Sequence, residues 1–471
     1  MISGRFAAVD LGASGGRVVV AEVDRTRLQL TGLYRFPNRP VQLPDGLHWN
    51  ILSLYGSVLD GLTAAGREGA LMSIGVDTWA VDFGLLDAQG SLIGNPYHYR
   101  DPRHSAGVEA IHGRRTHAEL YALNGLQFLP FNTIYQLGAD WGSQQLTAAR
   151  TLLLVPDLIA YWLTGAIGAE VTNASTTGLL DPRSHTWSPE LCDLALIPPA
   201  LLPELRAPGD VVGTLTIMVA EQAGLARSTP VTAVGSHDTA SAVVAVPMDP
   251  ERAAYISLGT WGLVGVELEK PILTDESRRA GFTNELGVDG RVRYLRNVMG
   301  LWLLQECLRS WGRNDLPTLL GAAAELPPDG PRFDVDDARF LPPGDMPARV
   351  AAAVEEIGGR PLQDPASVVR CVVDSLTDRL AQGVVDAARL SGRDVEVVHV
   401  VGGGSQNSLL CQLLANKCGL PVVAGPVEAT ALGNVLVQAR TLGVLSGSLE
   451  ALRDLVRRTH PSRTFTPRVD L

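Results

Sequence analysis

The sequence predicts an α/β protein of two similar domains, and three observations carry that reading. β-prone stretches alternate with stretches of helical periodicity, the pattern of strands joined through helices. A strand, a glycine-containing turn and a second strand open the chain and recur 247 residues later, Leu11-Gly12-Ala13 aligning with Leu258-Gly259-Thr260. A length of 471 residues suits two or three domains of roughly 100–200 residues each. Three matching positions can also arise by chance. Read as a duplication, they would set two related turns facing each other across a cleft, with domains 1–246 and 247–471 meeting near Pro247 and Pro250.

Taken in order, residues 5–11 are apolar and β-prone, Gly12-Ala13-Ser14-Gly15-Gly16 is turn chemistry, and 18–23 resume the strand. A second strand-like run, 73–76, leads through Asp77 to Asp82 into 83–86, which reads as a second hairpin. Helical periodicity covers 135–149 and 152–163, the latter stopped by Gly165. Residues 230–236 read as a strand feeding a small-residue helix that begins around Asp238. After it, 253–258 and 263–268 flank the Gly259-Thr260 turn. The Pro-rich stretch 327–347 reads as irregular surface loop, and 365–390 as a long helix ended by Gly392. A βαβ unit follows: strand 395–401, turn Gly402-Gly403-Gly404, helix 407–418, cap Gly419 and a new strand at Val422.

Composition narrows the function classes. Apolar residues form 46% of the chain and charged residues 19%, an ordinary globular balance. The 39 basic and 50 acidic residues leave a net charge of −11, which argues against a dedicated nucleic-acid binder. The N-terminus reaches Asp10 before a signal-peptide core can accumulate, and the greasiest stretch, 152–163, is too short to span a bilayer. Five scattered cysteines without a C-x-x-C fit reduced thiols and a cytoplasmic location. The nine histidines show no metal-ligand spacing.

Chemistry concentrates at the turns. Glycines let backbone N–H groups converge on an anion, so Gly12 to Gly16, with Ser14 and Arg17, could cradle a phosphate, and Thr260 could add a hydroxyl. Each is equally a plain tight hairpin, and neither carries the Gly-Lys-Ser/Thr of a P-loop. Gly402-Gly403-Gly404 lies after a strand and before a helix, where nucleotides bind in α/β proteins, although it lacks the G-x-G-x-x-G spacing. Asp10, Asp82 and Asp238 fall at strand ends. There an acid can be merely a cap or turn former. Asp238, at a helix N-terminus that should keep it ionised, is a workable general base; Asp10, beside the first turn, suits Mg²⁺. Adjacent Ser236, His237 and Asp238 cannot converge as a hydrolase triad. Trp79 and Trp302 could stack on a sugar or simply fill the core.

The blocks AVDLGASGGR (8–17), GVDTWAVDFGLLD (75–87), SHDTASAV (236–243), SLGTWGLVG (257–265), NVMGLWLLQ (297–305) and VVGGGSQN (400–407) resemble, in order, the FGGY carbohydrate kinases in their L-rhamnulose kinase branch. The likeness runs nearly end to end. It implies two related actin/Hsp70-like (ribonuclease H-like) domains flanking a central cleft, and ATP-dependent phosphorylation of L-rhamnulose at its C1 hydroxyl. It makes Asp238 the proton acceptor, and His237, Thr239 and Asn297 sugar contacts. Ala13, Ser14, Gly15, Gly16 and Arg17 would hold the ATP phosphates. Thr260, Gln305 and Gly403 would complete the nucleotide site, with Asp10 organising Mg²⁺. At the sugar-contacting position 80 the family usually has Gly, whereas this chain has Ala80, which bears on the choice of ketose. The partner implied is a small-molecule sugar, without nucleic acid or membrane, for a monomer or small homo-oligomer. Other readings are a fuculose or xylulose kinase, an actin- or Hsp70-like ATPase acting on proteins, and a catalytically silent sugar sensor.

Overall fold

Strand β1 (Gly4–Leu11) is buried along nearly its whole length, and its apolar run Phe6, Ala7, Ala8, Val9 demands sheet on both edges. In the structure, a computed structural model describing residues 3–468, it has both. β2 (Gly15–Val23) pairs antiparallel on one side with β3 (Leu28–Pro37) beyond it, and β4 (Ser73–Thr78) pairs parallel on the other. β5 (Val211–Thr214) and β6 (Pro230–Thr232) complete a six-stranded sheet in the order β5-β6-β4-β1-β2-β3. Edge strand β3 alternates between buried and solvated positions instead. Helix α1 (Ile51–Glu68) buries Ile51, Leu54, Val58, Leu62 and Ala65, the spacing of one helical face, and Asn50 caps its start by accepting from the Ser53 amide.

Three elements differ from the sequence expectation. Residues 83–86 make no hairpin with β4; Phe83–Leu86 pairs with Thr151–Leu154, so 152–154, at the start of the expected helix 152–163, are strand. Helix α2 (Val155–Thr164) starts only there, with Pro156 in its first turn, where a missing N–H costs nothing. The helix expected over 135–149 is two, Thr133–Ala139 and Gln144–Ala148, separated around Gly142 at φ 75°. Helix α3 (Asp238–Val244) begins at the expected place.

The chain packs as two units. The first is Met1–Pro247 with Leu268–Tyr294 and Ala429–Thr459; the second is Met248–Glu267, Leu295–Glu428 and His460–Leu471. In the second, β7 (Ala253–Leu258), β8 (Trp261–Leu268), β9 (Val397–Val401), β10 (Val422–Ala424) and β11 (Arg463–Phe465) lie in the order β8-β7-β9-β10-β11. Its helices include α4 (Trp302–Trp311), α5 (Pro365–Ser391) and α6 (Ser408–Cys418). α5 opens with a capping box between Asp364 and Ser367 and closes on Gly392 at φ 70°. Helix α7 (Ala429–Thr441) returns the chain to the first unit and packs on β1 and β4. Among the described residues no helix is long and apolar enough to cross a membrane, and the five cysteines are free.

Candidate active site

β1 and β4 are parallel and end side by side, so the segments leaving them are gathered at one edge of the sheet. The Trp79 amide donates to the Leu11 carbonyl (3.1 Å) and the Thr78 amide to that of Ser236 (2.8 Å). In the first unit this collects the 12–16 turn, Ala80, and the run His237, Asp238, Thr239. The same register sets Asp10 beside Asp77 and opposite Arg17. Arg17 donates through Nε (2.9 Å) and Nη2 (2.6 Å) to Asp10 Oδ2. Asp77 is fully buried. It accepts from Asn434 Nδ2 of α7 at 2.5 Å, while Gln438 donates to Asn434 Oδ1 (2.6 Å) and to the Ala7 carbonyl (3.0 Å). Gly75 makes this possible, because a methyl there would run into the Asn434 amide. Burial, and then the neighbouring Asp10, hold the Asp77 carboxyl well above the usual range.

Asp238 occupies the first position of α3 with a third of its side chain exposed. Thr239 Oγ1 donates to its Oδ1 (3.0 Å), and His237 Nε2 lies 3.5 Å from the same oxygen. The helix start was expected to keep this group readily ionised. Burial, with Asp10 adding to it, raises its pKa above the ordinary carboxylate value. A raised carboxylate is a stronger base once ionised, which suits proton abstraction. Beneath it Glu170 accepts five hydrogen bonds, from the Thr172, Asn173 and Ser236 amides and the Thr172 and Ser236 hydroxyls, tying two loops into one floor.

Ala80 opens a strained turn. The Asp82 amide donates to the Ala80 carbonyl (2.9 Å) and Val81, a β-branched residue, sits at φ 68°. Such backbone costs on the order of 1–3 kcal/mol and needs anchoring. Asp82 supplies it by accepting from Trp49 Nε1 (2.6 Å), Gln136 Nε2 (2.8 Å) and Trp79 Nε1 (2.9 Å), and Thr133 Oγ1 donates to the Val81 carbonyl (2.6 Å). Burial lifts Asp82 to about 7. Trp79 packs against Trp49 with the rings tilted by 33° and centroids 4.0 Å apart, and Trp302 donates to the Phe340 carbonyl; both indoles are buried core, not sugar platforms.

The second unit holds the other predicted contacts. The Leu301 amide donates to the Gly259 carbonyl (2.9 Å) and the Trp302 amide to that of Thr260 (3.2 Å), so Thr260 and the start of α4, which carries Gln305, are neighbours. Gly403 opens a short 3₁₀ turn after β9 and, with Leu301, Leu320, Gln406, Asn407 and Lys417, lines a cavity of about 1070 Å³. Asn297 lies on the strand Val292–Met299. The sequence does not single out Asp77 and Asn434, whose partnership spans 357 residues, or Glu170, which also reaches Ser236, 66 residues away. Nor does it single out Asn38, whose Nδ2 donates to the Gly12 carbonyl (3.0 Å) and braces the first turn. Only the even, buried spacing of Gly75 and Asp77 on one strand could have signalled any of them.

Comparison with known proteins agrees with this architecture. The N-terminal domain of the FGGY family of carbohydrate kinases matches residues 6–245, and its C-terminal domain matches 254–442. The chain is 39% identical over 465 residues to a rhamnulokinase of Bacteroides thetaiotaomicron, covering 98% of this chain and 96% of that one. It is 41% identical over 469 residues to a rhamnulokinase of Klebsiella pneumoniae subsp. pneumoniae, covering 98% and 94%. In fold it is similar to a gluconate kinase from Lactobacillus acidophilus, with a TM-score of 0.82 at 16% identity over 99% and 94% of the two chains. A ligand-bound xylulose kinase from the same organism gives 0.80 at 16% identity over 98% and 94%. The protein is thus a carbohydrate kinase and belongs to the FGGY family.

Proposed function

We propose that this kinase transfers the γ-phosphoryl group of ATP to the C1 hydroxyl of L-rhamnulose, giving L-rhamnulose 1-phosphate and ADP, with Asp238 as general base. One observation carries the catalytic part: a partly exposed, upward-shifted carboxylate at the start of a helix, braced by Thr239 and His237. Phosphoryl transfer depends chiefly on positioning and charge stabilisation. Asp238 takes the hydroxyl proton as the C1 oxygen attacks phosphorus. His237, Thr239, Ala80 and Asn297 orient the ketose. Ala13, Ser14, Gly15, Gly16 and Arg17 receive the phosphates, and Thr260, Gln305 and Gly403 the rest of the nucleotide. Residues 1–246 thereby serve the sugar and the phosphate loop, and 247–471 the nucleotide together with the single sugar contact Asn297, in a cytoplasmic enzyme.

Mg²⁺ needs only one or two carboxylates beside phosphate oxygens and its own waters. Asp10 fits that demand, because both Arg17 bonds fall on Oδ2 alone. Among the described residues no cluster of three or more acidic, His or Cys ligands offers an all-protein cage. Bound there, the ion would neutralise phosphate charge.

The identity of the relatives supports L-rhamnulose, while the Ala80 methyl favours testing fuculose and xylulose beside it. ADP release across a ketose panel is the test. L-Rhamnulose should give the highest kcat/KM, and Asp238→Asn should lower kcat by ~10²-fold or more with folding and ATP binding preserved. A variant that keeps half the rate removes Asp238 from the role; a better ketose replaces L-rhamnulose.

A further inference from the structure

A buried ion pair backs the residue beside the proposed base. Arg293 is wholly buried, and its guanidinium makes three contacts: Nε donates to the Leu286 carbonyl (3.0 Å), Nη1 lies 3.1 Å from Glu285 Oε2, and Nη2 lies 3.2 Å from His237 Nδ1. Glu285 Oε2 is also 3.1 Å from Nδ1, but only Nη2 meets hydrogen-bond geometry toward that nitrogen. Glu285 is held below the usual carboxylate range, with the Arg293 guanidinium the largest attraction set against its burial. On its other side His237 turns Nε2 toward Asp238 Oδ1. The His237 amide donates to Thr172 Oγ1 (3.3 Å), and its carbonyl accepts from the Ala240 amide (2.7 Å).

A guanidinium is an obligatory donor, with no lone pair to offer and no accessible neutral form. A ring nitrogen that faces it must therefore accept, and the imidazole proton then resides on the opposite nitrogen. We infer that Arg293 is a positioning residue for the transfer: by donating to Nδ1 it fixes His237 as the Nε2–H tautomer and aims that N–H at the Asp238 carboxylate. Glu285 is the counter-charge that lets Arg293 remain buried in this place. The inference rests on the role proposed above for Asp238 and adds what holds that carboxylate in position. The Thr239 hydroxyl donates to Oδ1 at 3.0 Å and the His237 N–H is turned toward the same oxygen from 3.5 Å, which leaves Oδ2 for the sugar hydroxyl, so losing the His237 orientation should misplace the base without removing it.

Two measurements test this. In the ¹⁵N imidazole spectrum of the intact wild-type protein, the resonance lost in His237→Gln should be that of a neutral ring with the proton on Nε2; a proton on Nδ1 overturns the inference. This reading needs no turnover, so it stands apart from any failure of the substrate assignment. Kinetically, Arg293→Lys keeps the charge without the fork, and Arg293→Met with Glu285→Gln removes both charges so that neither is stranded. Both should lower kcat at least about 10-fold with KM for ATP and ketose within about twofold, the split expected for a misplaced base. A double variant with the wild-type melting temperature and kcat would refute it.

Discussion

The two strand–turn–strand hairpins share their surroundings yet differ in content. β1 has an antiparallel neighbour, β2, and a parallel one, β4; β7 likewise has β8 antiparallel and β9 parallel. In the first, the residues before and after the turn are Asp10 and Arg17, register partners joined by an ion pair beside a second carboxylate. At the matching register in the second stand Ser257 and Leu263, and no charge at all. One hairpin manages charge, while the other offers bare backbone, against which the Leu301 and Trp302 amides close. The same local fold has been given two chemical tasks, and the side chains at one register pair show which is which.

If charge management distinguishes the first hairpin, removing its cation should be the costliest change. Arg17→Met leaves Asp10 uncompensated beside Asp77 and should cost about 3 kcal/mol by urea denaturation. Ser257→Ala at the matching position should stay within about 0.5 kcal/mol. Equal costs would erase the distinction.

Close backbone approach should be the weak point of the second hairpin. A methyl on Gly300 would lie 2.5 Å from the Trp261 carbonyl carbon, 2.7 Å from the Gly262 nitrogen and 2.8 Å from the Gly259 oxygen. All three are main-chain atoms that cannot rotate away. Gly300→Ala should therefore cost about 1–3 kcal/mol and raise the KM for ATP more than that for the ketose. An unchanged ATP KM would mean the hairpin has no part in holding the nucleotide.

A slope with pH, not a single step, sharpens the electrostatic half. Asp77 has a folded pKa above its ordinary 3.8, so its contribution to stability is full below that value and is lost as pH rises through the folded value. Against Asp77→Asn, the wild type should lose stability above about pH 4, by at most about 1.4 kcal/mol per pH unit. Parallel pH–stability curves for the two proteins would show that Asp77 holds no extra proton.

Much of the fold was legible along the chain. β1, β2, α3 and α5 announce themselves by apolar runs, glycine turns and caps, and the recurring Leu-Gly pair marked both hairpins before their pairings were known. The failures share a cause. Residues 151–154 and the helix after them form one apolar run in sequence, and only pairing with Phe83–Leu86 makes the first part a strand. Trp79 was open to a surface role until Trp49 and Asp82 enclosed it.

The sequence by itself determined the family and which residues are candidates for the chemistry, since glycine turns, strand-end acids and family blocks are local patterns. Tertiary structure alone decided the electrostatic surroundings and the support of those groups. Asp77 rises because it is buried beside Asp10; Asn434, 357 residues away, is what it leans on. His237 is oriented by Arg293, 56 residues on. Electrostatic energy depends on distance through space and on access to water, and neither is written in the order of residues along the chain.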